Sequence, residues 1–525
     1  MKPDLDVGIV GGGPCGLFAA LLLARAGLRA GLFEKNQALS SHPKAMGLTR
    51  RTLEIFRQAG LEAEIAKGCL PLDGRALAVW SKGLAGEELG RVPFAEVHGA
   101  VSPCGPAHCP QTWTERTIYA ALSQESRAVV AFASAVESVT DVGDHVRIRA
   151  DGRDHTARYV IAADGAGSPV RKALGIATDG PGDMGHFLNV MFRADLGDVL
   201  RGREALLYNA LGADFYEFFV AVDGCHTWLM HHFLMPGERA GDFSGDDLRA
   251  LAVKASGIPG LEVEILGVSP WVMSPKVAKS WRDGRIFLAG DAAARLSPAG
   301  GLGLNNGIQS VHNLAWKLAA VCRGRAAESL LDTYEEERKP CAHKLMAGTN
   351  KNADEIFSVI AAAMRGDWAD AKEMIAHSRR AGAGLGFDIG LAYESGAFLS
   401  DGTTPRVPAD PDNDYLANAR PGSRMPHAGM LSGSTLDLVR DDFVVLAGRS
   451  GGAWMARAGC DCLVNGRDFD APDFEAVCGI SSSGCILVRP DGYVGARFAD
   501  SAAGESPARA IAAITRTAGT GVGHF

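Results

Sequence analysis

The chain has no cysteine pair at C-x-x-C spacing, no apolar run long enough to cross a bilayer and no stripe of basic residues. Each absence removes a class of function. Its 11 cysteines are an odd, scattered count, and the two tightest pairs, Cys104/Cys109 and Cys460/Cys462, fit neither a zinc site nor a disulfide framework. No metal site is expected. The longest apolar stretch, Leu17 to Ala24, falls far short of the ~20 residues a spanning helix needs. The opening MKPDLDVGIV, with one lysine and a short acid-flanked apolar run, lacks the make-up of a signal peptide. A cytoplasmic protein with reduced thiols and no membrane contact is expected. With 53 Lys and Arg against 61 Asp and Glu the net charge is −8, so no nucleic-acid partner is expected either.

Glycine is in excess, 65 of 525 residues, or about 12% against a usual ~7%. Hydrophobic residues at 47% and charged residues at 22% are the proportions of a folded globular protein. The length fits about three domains of ~150 residues. The glycines therefore mark either loose chain or places where backbone comes close to something.

The first forty residues give them an address. Val7-Gly8-Ile9-Val10 reads as a short buried strand running into Gly11-Gly12-Gly13-Pro14-Cys15-Gly16, a G-x-G-x-x-G turn. Leu17, Phe18, Leu21, Leu22 and Leu23 predict a helix ending near Gly27, and 30–33 a second strand closing on Glu34. Gly11 permits the tight turn, Gly13 lets backbone approach a pyrophosphate, and Gly16 lets helix pack on strand. The helix N-terminus offers free N–H groups to phosphates, and Glu34 would accept hydrogen bonds from ribose hydroxyls. This order predicts a dinucleotide site and leaves FAD and NAD both open.

Two distant segments bear on that choice. Residues 158–171 read as a buried strand ending in Asp164-Gly165, and 285–293 as another ending in Gly290-Asp291. The second leads through a glycine-rich loop, 297–306, into a predicted helix at 308–318. An aspartate at the carboxyl end of a parallel strand sits where ligands of open α/β sheets bind, and Gly301 and Gly303 would offer N–H groups to an electron-rich acceptor.

With these segments the sequence resembles the class A flavoprotein aromatic hydroxylases, the single-component FAD and NAD(P)H monooxygenases related to para-hydroxybenzoate hydroxylase and phenol hydroxylase. Three fingerprints stand in that family's order: GGGPCG at 11–16, ADGAGSPVRKALGI at 163–176 and AGDAAARLSPAGGLGLNNGIQSVHNLAWKLA at 289–319. Fainter echoes are HPKAMGLTRRTLEIFRQAGL at 42–61, Gln111 and LLDTYEEERKP at 330–340. PGSRMPH at 421–427 and LVRPDGYVGARF at 487–498 look like the family's thioredoxin-like C-terminal domain. The resemblance implies an α/β fold: a Rossmann-like FAD-binding domain interleaved with an antiparallel-sheet substrate domain, plus a C-terminal thioredoxin-like α/β domain. The implied limits are 1–75, 100–183 and 276–345 for the FAD-binding domain, and 76–99 and 184–275 for the substrate sheet. A helical connector would cover 346–400 and the C-terminal domain 401–525.

Residue by residue, the resemblance places Gly11, Gly12, Gly13, Pro14, Cys15, Gly16 and Glu34 around the ADP half of FAD. Lys44, Gln111 and Asp164 match positions along the pyrophosphate or the nicotinamide path, and Lys35, Ala45 and Val136 are further cofactor-binding candidates. Asp291 would bind the ribityl chain, Gly301, Gly303, Leu304 and Asn305 would lie at the pyrimidine edge, and Pro298 beside the isoalloxazine. Three positions depart from the common pattern: Ala294 stands for His, Lys44 for Arg and Ser310 for Asp. Lys44 keeps the charge without the planar fork, and Ala294 is expected to remove a polar side chain from the wall beside the flavin.

No second G-x-G-x-x-G closes, since Gly165-x-Gly167 continues to Val170 and Gly301-x-Gly303 to Asn306. NAD(P)H would therefore bind transiently across the FAD domain. The reaction the resemblance implies is hydroxylation of a phenolic or polyketide-type aromatic by O2 through a flavin C4a-hydroperoxide. A helix N-terminus at 303–307 would stabilise negative charge on the reduced flavin. The sequence identifies no catalytic base.

Residues 184–275 read as strands with an apolar face, and Tyr216, Phe218, Trp228 and His231 are candidates to line a pocket. His231 and His232 alternate, so at most one faces a ligand. Few polar groups fall here, which suits a small aromatic substrate. Cys460-Asp461-Cys462 has the wrong spacing for thioredoxin chemistry, so the C-terminal domain is expected to be structural or to support a homodimer. A Baeyer–Villiger or epoxidising flavin monooxygenase and a non-catalytic FAD-binding protein remain open alternatives.

Overall fold

A computed structural model describes residues 3–93, 100–378, 384–502 and 504–516. Residues 94–99 of the expected substrate segment, 379–383 of the connector and 503 and 517–525 of the C-terminal segment lie outside these.

Leu5–Val10 is an apolar run because both faces are covered; Val7 and Ile9 are wholly buried. It pairs in parallel with Ala30–Phe33 on one edge and Arg153–Ala162 on the other. Ile286–Leu288 and Ala128–Ala131 extend the sheet in parallel on either side. The chain thus leaves its first strand towards one edge and returns on the other, opening a crevice at the carboxyl ends of Leu5–Val10 and Arg153–Ala162. The helix Pro14–Arg25 starts at that crevice, with Pro14 where a missing N–H costs nothing and with no side chain capping its free N–H groups. The turn before it is tight. Gly11 has φ +104°, and a Cβ on Gly16 would fall 1.9 Å from the Gly11 carbonyl oxygen.

The second sheet has seven strands, in the order Glu264–Met273, Gly185–Arg193, Thr227–Phe233, Tyr216–Ala221, Ala205–Leu211, Ala76–Lys82 and Glu88–Val92. Neighbours are antiparallel except Ala205–Leu211 and Ala76–Lys82, which run parallel. The whole run from 83 to 204 separates those two strands, so no hairpin forces their direction. A third sheet of four strands joins Val444–Ala447 in parallel to Asp461–Val464 and antiparallel to Cys485–Val488, with Val494–Phe498 outermost. Cys460 and Cys462 are free there, as are all the cysteines described.

The helix expected at 308–318 spans Gly303–Cys322. Its first turn is held from the side: Asn305 Oδ1 accepts from the Thr49 N–H at 2.9 Å, and Asn305 Nδ2 donates to the carbonyls of Gly301 at 2.7 Å and Gly47 at 3.0 Å. The helix Thr333–Met364 runs unbroken across the expected boundary at 345/346. A fully buried ionic quartet ties these two helices to the third sheet. Glu337 accepts from Lys317 Nζ at 2.7 Å and from both Arg489 terminal nitrogens at 2.7 and 2.9 Å, while Arg489 Nε donates to Asp491 at 2.9 Å. Among the described residues, no helix is long and apolar enough to cross a membrane and no acid, His or Cys group is arranged to hold a metal ion.

Candidate active site

A cavity of about 1650 Å3 lies between the carboxyl edge of the first sheet and one face of the second. Its floor follows from strand register. Ser269, Asn189, His231, Phe218, Asn209 and Trp80 stand directly opposite one another on adjacent strands and all line the cavity. Because side chains alternate, His232 and Trp228 point away from it. His232 Nδ1 lies 2.7 Å from Glu217 Oε1 beneath the floor. Trp228 is 1% exposed, donates to the Ala194 carbonyl at 3.2 Å and packs on Tyr208, so it is core and the pocket expectation for it is corrected. Tyr216, Phe218 and His231 do line the cavity. At one end Trp271 stacks on Phe187 with ring centroids 4.5 Å apart, and the roof comes from Ile356, Phe357, Met374 and Ile375 on the helices Thr333–Met364 and Trp368–His377.

The polar end is built from strand and helix termini. Gly11 to Cys15, Glu34 and Lys35, Lys44 and Ala45, Gln111, Val136 and Asp164 all reach the cavity, and so do Asp291, Pro298, Gly301, Gly303 and Leu304. The structure thus gathers these predicted residues around one space. Two others do not line it. Gly16 is buried under the Gly11 carbonyl, and Asn305 acts through the clasp described above. Glu34 is partly engaged within the protein, accepting from the Gly12 N–H at 2.6 Å and the Asn36 N–H at 2.8 Å. Asp164 accepts from Ser168 Oγ at 2.6 Å and the Val170 N–H at 3.0 Å, which stiffens the first of the two aspartate turns. Gln111 joins both sides of its wall, accepting from the Ala45 N–H at 3.2 Å and donating to Glu115 at 2.7 Å.

Ala294 is 1% exposed in the core between the sheet and the glycine loop and does not line the cavity, whereas Arg295 beside it does. The expected change to the wall beside the flavin is therefore corrected. Ser310 is also internal: it donates to the Asn306 carbonyl at 2.7 Å and accepts from Arg338 Nε at 3.3 Å. Lys44 does face the cavity.

Burial raises the Asp291 carboxyl above its ordinary pKa, against the pull of Arg295 and Lys44. Burial, with Asp291 and Glu115 nearby, raises the Cys15 thiol far above the usual range, so it stays protonated. His231 is pushed down to about 4 by burial and by His42, and is neutral at pH 7. His42 is lowered by burial and Lys44, with the Asn189 side chain opposing. His42, Asn189, Asn209, Trp271 and Arg295 were not singled out in the sequence. A polar residue at the centre of a buried strand, as Asn189 is in FLNVMF, was the signal available.

A glycine turn at a strand switch point, opening into the same cavity as an aromatic sheet floor, defines a dinucleotide-dependent enzyme that acts on an apolar ring. Residues 4–349 match the model of the FAD binding domain and residues 418–520 that of the aromatic-ring hydroxylase C-terminal domain. The chain belongs to the FAD-dependent aromatic-ring hydroxylases. It is 33% identical to the tetracenomycin A2 monooxygenase-dioxygenase of Streptomyces glaucescens, over 98% of each chain. It is 33% identical to a 4-methyl-5-nitrocatechol 5-monooxygenase of a Burkholderia species, over 97% of each chain. Among solved structures, the flavin-dependent monooxygenase PieE in complex with FAD and substrate superposes with TM-score 0.90 at 30% identity, covering 98% of this chain and 100% of that one. An aklavinone-11 hydroxylase with FAD and aklavinone gives TM-score 0.85 at 30% identity, covering 98% and 99%.

The residues present fit FAD. A Cβ on Gly13 would meet no protein atom within 4 Å, so the backbone there is open to a close-lying pyrophosphate. Two helix N-termini without side-chain caps, at Pro14 and Gly303, face the same space.

Proposed function

We propose that this enzyme hydroxylates a polycyclic phenol of the polyketide type, lying on the sheet floor with its reacting edge towards Pro298. The observation that carries this is the continuity of the cavity from the glycine turn to an aromatic-rich floor and roof. In the proposed arrangement Gly11 to Cys15 and Glu34 hold the adenosine and pyrophosphate half of FAD, Asp291 the ribityl chain, and the Gly301–Leu304 turn the flavin's pyrimidine edge. FAD, when bound, takes electrons from NAD(P)H and supplies activated O2. The chain's own contribution is orientation and exclusion of water: Phe187, Trp271, Phe218 and Trp80 present flat apolar surface to a ring system. Uncapped N–H groups at the start of Gly303–Cys322 would hold negative charge near the reacting edge.

The relatives support a large substrate, since their names include tetracenomycin and aklavinone. The test is to load the purified protein with FAD and screen phenols and hydroxylated polycyclic quinones for faster NAD(P)H oxidation, with structure determination of the product. The reading expects a product one oxygen heavier with the ring intact. A lactone or an epoxide would favour the alternative oxygenations, and no stimulation by any aromatic would refute it.

A further inference from the structure

We propose that His231 is the floor's hydrogen-bonding contact for a substrate hydroxyl, fixing which phenolic oxygen lies over the sheet and hence which ring edge meets the flavin. This deepens the reading above and rests on it for the nature of the substrate. Elimination along the cross-strand row supports it. Tyr216 donates its hydroxyl hydrogen to Asn209 Oδ1 at 2.9 Å, so that pair is engaged internally. The Asn189 side chain is turned to His42, on which it acts directly, so that pair too is engaged within the protein. Ser269 lies on the edge strand Glu264–Met273, at the rim of the floor. His231 is central, paired across strands with Asn189 on one side and Phe218 on the other.

The His231 ring is held by carbon rather than by hydrogen bonds. It lies tilted over Phe218 at 5.5 Å and edge-on to Trp271 at 6.0 Å. An imidazole fixed by flat rings and left neutral offers one acceptor and one N–H donor into an apolar cavity. A buried polar group of this kind is satisfied only by a ligand that brings its complement, and discriminates against one that does not. A phenol O–H donated to the imidazole also moves electron density towards its oxygen and into the ring, which an electrophilic oxygenation requires. No proton needs to leave the substrate for this contact.

The test uses 2-naphthol and 2-methoxynaphthalene, which share a ring system and differ in the O–H donor, titrated into the FAD-loaded enzyme with flavin and tryptophan fluorescence as readouts. The unaltered protein should bind 2-naphthol about tenfold more tightly than its methyl ether, the worth of one hydrogen bond to a buried acceptor. His231→Phe should erase that preference while leaving the ether's affinity unchanged, which also shows that the pocket is folded. His231→Gln, which keeps an acceptor, should restore part of it. Persistence of the preference in His231→Phe, or its absence from the unaltered protein, overturns the assignment. Failure of the wider reading looks different: the binding preference would stand while no aromatic stimulated NAD(P)H oxidation.

Discussion

Two glycines of the first turn, three positions apart, should fail in opposite ways when each gains one methyl group. A Cβ on Gly13 points into the cavity and meets nothing within 4 Å, while one on Gly16 would sit 1.9 Å from the Gly11 carbonyl oxygen. Gly13 has φ −75° and ψ −179°, backbone that alanine adopts freely. Gly13→Ala should therefore leave the apoprotein as stable as before, within about 0.5 kcal/mol or slightly better through the less flexible unfolded chain. The methyl instead holds the pyrophosphate away from the turn. Lengthening one charge-assisted hydrogen bond forfeits about 1.5–3 kcal/mol, roughly a tenfold to hundredfold loss of FAD affinity. Gly16→Ala must push the turn itself apart, so it should lower apoprotein stability and FAD affinity together. The assays are thermal unfolding of both apoproteins and FAD titration by flavin fluorescence. Gly13→Ala with undiminished FAD affinity, or with an apoprotein as damaged as Gly16→Ala, would refute the assignment of Gly13 to the ligand and Gly16 to the fold.

Three further outcomes are expected. Glu337→Gln leaves Lys317 and Arg489 with only Asp491 between them in a dry interior; breaking such a set should cost about 3–5 kcal/mol in denaturant unfolding, and an unchanged midpoint would show the quartet to be dispensable. Burial alone would raise Glu54, but Arg424, Arg51 and Ser102 outweigh it and bring its pKa to about 2. Its folded pKa is thus below its unfolded value, so the stabilisation is complete above pH 4.5 and is lost as pH falls towards 2, worth about 3 kcal/mol; Glu54→Gln should be less stable at pH 7 and flatten that acid limb. Trp228→Ala should destabilise by about 3–5 kcal/mol with KM for an aromatic substrate unchanged, whereas Phe218→Ala should raise KM; the reverse pattern would put the substrate on the other face of the sheet.

The local order of strand, glycine turn, helix, strand and acid could be read directly because every part of it is short-range. A tight turn needs glycine, a buried strand needs an apolar run, and both are visible within forty residues. The aspartate turns at Asp164 and Asp291 were legible for the same reason. The side-chain face of His231 and His232 was half legible: alternation showed that they diverge, but which one faces the ligand depends on what covers each side. Trp228 was misplaced on that account, since nothing in TWLMHHF marks the face that packs on Tyr208 and the Ala194 strand end. The same gap put Ala294 on the cavity wall, where its neighbour Arg295 stands instead.

By itself the sequence determined that the chain opens on a strand and glycine turn of the dinucleotide-binding kind, that no cysteines stand at C-x-x-C spacing and that an apolar sheet supplies the middle of the chain. Those are properties of spacing and composition, set by steric rules acting over a few residues. Only the tertiary structure decided that Asn189, His231, Phe218 and Asn209 form one continuous row, because register across strands distant in sequence is fixed by long-range packing. It also decided that Glu337, Lys317, Arg489 and Asp491 neutralise one another in the interior. Charges that far apart in the chain carry no local sign of their partners, and only the cost of leaving any of them alone in a dry core requires that they meet.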